Sequence, residues 1–326
     1  MSSEQPAINL ATETDISVHG LRLDQAIANS FPEYSRSKLK TWILDGSVTV
    51  NGEVCTTPRQ KLLGFERIEI NAVAEVQVEH EAEAIDLNVV FEDDDILVIN
   101  KPADLVVHPG AGNPQGTILN ALLDRVPDIN TVPRAGIVHR LDKDTTGLMV
   151  VAKTLTAQTH LVEQLQSRTM SREYEAVITG TLVAGGIVDA PIGRHPTKRT
   201  HMAVRDSGKP AVTHYRVIKK FRSHTHLRLK LESGRTHQIR VHMAYIKHPI
   251  VGDQAYGGRP RIPKNMNQDC LHQLRNFKRQ ALHAAQLSLY HPVTEEWMSW
   301  QAPIPEDMKG LLADLRQDTQ EHGLDD

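Results

Sequence analysis

Residues 136–152, GIVHRLDKDTTGLMVVA, place a polar, charge-dense loop directly before an apolar run. Loops of this kind present side chains from a rigid scaffold, and the run 148–152 reads as a buried strand. Working outward, 89–91 and 96–100 read as strands around an acidic turn at 92–95. On the other side, 174–178, 212–217 and 227–231 are strand-like, the last two strongly alternating. Helical spacing appears at 116–125, 156–166 and 236–246. Strands outnumber helices, and helices do not follow each strand. This irregular alternation predicts α+β: a mixed or antiparallel sheet flanked by helices, in preference to a doubly wound parallel fold. No repeat of solenoid or propeller period occurs.

With 326 residues, 40% hydrophobic, the chain can form a large domain and a small one. In the first fifty residues or so, Leu21, Leu23, Ala26, Ile27 and Phe31 have helical spacing up to Pro32. Ser35 is expected to cap a second helix through Leu44, with Arg36, Lys38 and Lys40 on its polar face. Asp45-Gly46 stops that helix, 47–52 reads as strand then turn, and 68–71 adds another strand. From 72 to 88 the chain is acidic, without helix or turn signals. The expected division is a flexible tail at 1–17, a small domain at 18–75, a linker at 76–88, a large domain at 89–315 and an acidic tail at 316–326.

The formal charge of -3 conceals a segregation. Residues 1–100 carry 7 basic and 18 acidic side chains, whereas 101–300 carry 28 and 15. Within the latter, 190–280 holds 20 Lys and Arg against 4 Asp and Glu, which points to a polyanionic partner and to binding that weakens steeply with salt. Two distant cysteines, Cys55 and Cys270, read as ordinary thiols of a reducing compartment. No apolar run approaches a membrane span and the N-terminus lacks a signal pattern, so a cytoplasmic protein with no membrane partner is expected.

Several chemistries are disfavoured. Gly110, Gly112 and Gly116 stand one residue too far apart for a dinucleotide loop, with Pro114 where backbone amides should face a pyrophosphate. His237 and His242 lie five apart, off one helical face, with no ligand cluster beside them, so no metal is expected. No serine-hydrolase elbow occurs. What remains is Asp142 among His139, Arg140 and Lys143, a carboxylate that cationic neighbours would keep ionised, unless the loop is merely a turn. Tyr174 stands on a strand within SREYEAV (171–177), and GRTHQIRVHM (234–243) starts a helix with Arg235 in its first turn and Arg240 five further on. Separately, each is weak.

Together and in this order, these segments resemble the RluA-type pseudouridine synthases. HRLDxxTxG maps onto 139–147, and the match extends through Asn100-Lys101-Pro102, Val107-His108-Pro109 and HPIVGD at 248–253. Leu23-Asp24, Ser35-Arg36-Ser37 and Val50-Asn51-Gly52 resemble an S4 RNA-binding module. The resemblance implies a pseudouridine synthase fold that isomerises uridine without metal, nucleotide or other cofactor. It makes Asp142 the catalytic nucleophile or base, Arg235 its ion-pair partner and Tyr174 the residue stacked on uracil. His139, Arg140, Thr146, His237, Gln238 and Arg240 become substrate-binding residues, and Arg36, Lys38 and Lys40 RNA-binding ones. The implied substrate is a stem-loop of large-subunit ribosomal RNA, helix 69, free or in a precursor particle, bound by a monomer. The alternative is a non-catalytic ribosome-assembly factor that only holds RNA.

Overall fold

A computed structural model of the chain describes residues 7–32, 34, 36–73, 80–110, 112–258 and 261–324. They form two compact units, within 1–79 and 80–326.

The first unit contains β1 (Ala7–Glu13), α1 (Leu23–Ser30), α2 (Arg36–Leu44), β2 (Val48–Val50), β3 (Glu53–Val54) and β4 (Arg67–Val73). Its antiparallel sheet has the order β1-β4-β2-β3. Leu23 and Ile27 of α1, and Leu39 and Ile43 of α2, are buried against Val48, Ile68 and Ile70. Asn51 and Gly52, both at positive φ, form the two-residue turn between β2 and β3, a conformation these residue types adopt readily. The tail expected at 1–17 is not free: Ala7 to Glu13 pair with β4 from Val73 to Arg67. Ile8 and Leu10 pack on the core, a two-residue alternation too short to stand out in a polar segment. The proposed cap, Ser35, lies outside the described residues.

The second unit begins earlier than expected. Residues 80–88 have no regular structure, yet Leu87 is buried, Asn120 donates to the Glu81 carbonyl at 2.8 Å, and the Glu83 carboxylate accepts from the Gly116 amide at 2.9 Å. An acidic composition made this segment look like linker, but side-chain and backbone pairing fasten it to the larger unit.

That unit runs through β5 (Val89–Glu92), β6 (Ile96–Lys101), α3 (Ile118–Arg125), β7 (Thr146–Ala152), α4 (Leu155–Ser167), β8 (Ser171–Thr179), β9 (Gly186–Asp189), β10 (Ile192–Arg194), β11 (Met202–Val204), β12 (Val212–Lys220) and β13 (His224–Leu231). It ends with α5 (Gln238–Tyr245), α6 (Gln268–Asn276), β14 (Leu282–Tyr290), β15 (Trp297–Gln301) and α7 (Glu306–His322). The sheet order is β5-β6-β7-β14-β8-β13-β12-β9, with β15 pairing the later residues of β14, past its short pairing with β7, and a separate β10-β11 hairpin. Among the described pairs only β7 and β14 run parallel, so the sheet is mixed and the fold is α+β, as expected. Local chemistry starts the helices: Thr117 and Asn120 make a reciprocal capping box for α3, and Thr154 caps α4 through the Ala157 amide.

The 148–152 run is apolar throughout because both faces of β7 are covered. Met149 and Val151 face one core, while Leu148, Val150 and Ala152 face another. Of the acidic tail expected at 316–326, the residues up to His322 continue α7, with Leu315 and Asp318 buried and Asp318 paired with Arg222 at 3.4 Å. A segment rich in charge looked loose because its anchor is a buried ion pair with a residue far away in sequence. Cys55 and Cys270 are both buried free thiols. No helix among the described residues is long and apolar enough to cross a membrane.

Candidate active site

The 136–147 loop is gripped at both ends by close backbone approaches. At Gly136 a Cβ would fall 1.8 Å from the Ala152 carbonyl oxygen, and at Gly147 it would fall 2.3 Å from that of Ala284, with φ positive at both. Only glycine fits there. Between them, the buried Lys101 ammonium donates to the carbonyls of Pro102, Leu105 and Lys143 at 2.7 to 2.8 Å. The Thr145 amide donates to the Asp142 carbonyl at 3.0 Å, and Gln280 holds the Thr145 hydroxyl at 3.0 Å. Burial pulls the Lys101 ammonium down to about 7, against the opposing pull of Asp144 and Asp142. Asp142 therefore sits on a loop whose backbone is immobilised from several directions.

An open cleft of about 1080 Å³ runs past this loop. Asp142 faces it with 18% of its side chain exposed and accepts a 2.9 Å hydrogen bond from Arg240 Nη1. Arg240 is itself held by two bonds to the wholly buried Asp253 carboxylate, Nε to Oδ2 at 2.7 Å and Nη2 to Oδ1 at 2.9 Å. The amides of Ala255 and Tyr256 complete Asp253. One guanidinium thus spans two carboxylates, an arrangement suited to its planar fork. Desolvation opposes its charge, but Asp253 and Asp142 more than compensate and raise its proton affinity. Arg240 and the backbone amides likewise hold Asp253 below the usual carboxylate range despite burial.

This corrects the pairing expected from the sequence. Arg235 lines the cleft, but its Nε donates to the Pro210 carbonyl at 3.2 Å and no bond from it to Asp142 is formed among the described contacts. The reason lies in where the helix starts. Residue 237 adopts the left-handed conformation (φ 57°), so α5 begins at Gln238 and Arg235 stays outside it. Gln238 consolidates the turn, accepting from Ser233 and from the Arg235 amide while donating to Val212 and Thr213. It is a structural strut as well as a cleft residue. His237 approaches Asp142 at 3.9 Å and bonds the Tyr256 hydroxyl at 2.7 Å; burial lowers its proton affinity, with Asp142 opposing.

Tyr174 is buried on β8 and lines the same cleft, its hydroxyl pushed above the usual range by burial. His139 accepts from the Val150 amide at 3.1 Å and is driven to about 3 by desolvation, then by Arg172, which keeps the ring neutral. Arg140 is an exposed part of the cleft wall. Thr146 does not face this cleft; its hydroxyl is buried against His283 Nδ1 at 2.8 Å. In the first unit, Arg36 and Lys40 are exposed on α2, while Lys38 lies over the rings of Tyr34 and Trp42 at 5.8 and 5.3 Å. Asp253, Tyr256 and Arg172 were not singled out as site residues from sequence. Asp253 lies within the HPIVGD segment, but nothing in its neighbours along the chain marks it as the partner of Arg240.

The family model for RNA pseudouridylate synthase matches residues 95–245, and that for the S4 domain matches 21–68. The chain is 63% identical to Ribosomal large subunit pseudouridine synthase D of Salmonella typhimurium over 303 residues, 93% of each chain. It is 62% identical to the protein of that name from Haemophilus influenzae, covering 97% of this chain and 98% of the relative. Among solved structures, Human RNA Pseudouridylate Synthase Domain Containing 4 is similar at TM-score 0.55 and 26% identity, covering 70% of this chain and 93% of that one. With a mixed-sheet fold, a cleft built around Asp142 and relatives matched along nearly the whole length, the chain belongs to the RNA pseudouridylate synthase family, isomerases of uridine in RNA, and carries an S4 RNA-binding domain.

Proposed function

We propose that this enzyme isomerises uridines of large-subunit ribosomal RNA, several of them in the helix 69 stem-loop, with Asp142 as the reacting carboxylate. It would act as a cytoplasmic monomer on free RNA or on a precursor of the large subunit. The observation that carries the reading is the Arg240 guanidinium spanning Asp142 and Asp253 in the cleft that Tyr174 lines. The name shared by the relatives from Salmonella typhimurium and Haemophilus influenzae supports the RNA class.

The target base leaves its stack at a cost of about a few kcal/mol, least in a single-stranded loop, and enters the cleft. Asp142 either attacks C1′ or removes the C2′ proton. In both cases the N1–C1′ bond breaks and its electron pair stays with the uracil ring. The ring turns and C5 bonds to C1′, either displacing the Asp142 carboxylate from C1′ or with the C2′ proton handed back; the C5 proton is then lost and N1 gains a proton, so no atom or electron is lost or gained overall. Arg240 binds the Asp142 carboxylate and aims it, while Tyr174 packs on the ring and assists loss of the C5 proton. The cationic 190–280 segment supplies phosphate contacts, and α2 of the S4 unit a second set.

An Asp142→Asn variant is expected to bind a 23S ribosomal RNA transcript normally and to release no tritium from its 5-tritiated uridines. Release at the wild-type rate would overturn the assignment.

A further inference from the structure

Arg172 stands two residues before Tyr174 on β8, and the two-residue period of a strand puts both side chains on one face. Both line the cleft. The Arg172 side chain is more than nine-tenths buried, and its Nε is shut off from solvent without a hydrogen-bond partner. Among the described residues no carboxylate or carbonyl reaches its guanidinium. Every other cation at this depth in the site is matched: Lys101 by three carbonyls and Arg240 by two carboxylates. The neighbouring His139 ring adds a second unsatisfied donor. Its Nε2 accepts from Val150, so the neutral ring carries its proton on Nδ1, which is buried and unpartnered.

An unpaired buried guanidinium is costly, and its partner is expected from outside the chain. The space against it is tight. A Cβ on Gly234 would come within 2.8 Å of Arg172 Nη1, so the first residue of GRTHQIR leaves room for this guanidinium. What enters the cleft beside Tyr174 is a ring that becomes negatively charged. Breaking N1–C1′ heterolytically leaves the electron pair on N1, delocalised onto O2 and O4. Asp142 is already matched by Arg240 and does not require Arg172.

We propose that Arg172 is a further catalytic residue, its guanidinium meeting O2 or O4 of the flipped uracil and stabilising the anion present between detachment and reattachment of the ring. Donors that strengthen as charge develops act on the chemical step and leave ground-state binding largely untouched. The inference rests on the reading of Asp142 as the group that opens the glycosidic bond.

The test is single-turnover tritium release from 5-tritiated 23S ribosomal RNA transcripts by Arg172→Met and Arg172→Lys, with Asp142→Asn in parallel. Arg172→Met is expected to slow the chemical step about 10²- to 10³-fold, with RNA affinity within threefold of wild type and a melting temperature unchanged or higher. Arg172→Lys should recover part of the rate. Transcripts carrying 2-thiouridine or 4-thiouridine supply the second arm: one sulfur should slow the wild type and leave Arg172→Met no slower, the coupling expected of two groups in contact. Three results would overturn the proposal: turnover by Arg172→Met within fivefold of wild type, an equal thio penalty in both proteins, or a drop in melting temperature with affinity and rate falling together. If Asp142→Asn releases tritium, the underlying reading fails; if it is inert while Arg172→Met is fully active, only the role of Arg172 fails.

Discussion

At the scale of single residues, the site turns on which of two arginines meets Asp142 on the 136–147 loop. Arg240 uses Nε, Nη1 and Nη2 in three bonds of 2.7 to 2.9 Å to two carboxylates, a geometry that an ammonium cannot reproduce. Arg240→Lys should therefore lower the chemical rate by about 10²-fold or more. Arg240→Met should in addition lose about 3–5 kcal/mol of stability, because Asp253 is left buried and unpaired. Arg235→Ala removes an exposed cleft cation bonded to one carbonyl, so its cost should fall mainly on KM and its kcat should stay well above that of Arg240→Lys. Tritium release and chemical denaturation of the three variants check this directly; equal kcat losses at 235 and 240 would contradict the geometry.

At the scale of elements, the 136–147 loop is positioned by the strand that follows it. β7 is clamped between two cores, and its first turn passes so close to β14 that Gly147 touches the Ala284 backbone. Gly147→Ala combines a positive φ with a backbone clash that no side chain can relieve, so β7 and β14 must separate locally. The expected result is a stability loss of more than about 3 kcal/mol together with loss of turnover, read by urea unfolding and tritium release. The capping box of α3 illustrates the contrast: Thr117→Ala removes one cap away from the loop and should cost only about 1 kcal/mol. A similar penalty for both variants would show that the approach at Gly147 is not rigid.

At the scale of the whole molecule, buried neutral histidines tie the stability of the larger unit to pH. Desolvation lowers His224 to about 4, with Asp318 opposing, and its ring is 1% exposed beside the Ser223 hydroxyl. The unfolded ring takes up a proton below about 6.5 and the folded one only near about 4. Stability present above that upper value is thus lost as the pH falls between the two, by about 2 kcal/mol from pH 6.5 to pH 5. His139 acts in the same direction. Urea titrations at pH 7.5, 6.5 and 5 should show this slope, and His224→Gln should flatten it; an unchanged slope would remove His224 as a source.

Local sequence by itself determined the mixed-sheet class, the loop before β7, the placement of Asp142 and Tyr174 on it and on β8, and the helices whose caps and periodicity are written in adjacent residues. It did not reveal β1 or the continuation of α7, because their anchors, β4 and Arg222, are distant in the chain. Tertiary structure alone decided that Arg240 and not Arg235 grips Asp142, and that Asp253 braces it. A helix carries each successive side chain about 100° around its axis. A single left-handed residue at 237 therefore decides which guanidinium turns inward, and only tertiary packing brings it to Asp142, 98 residues away in the chain.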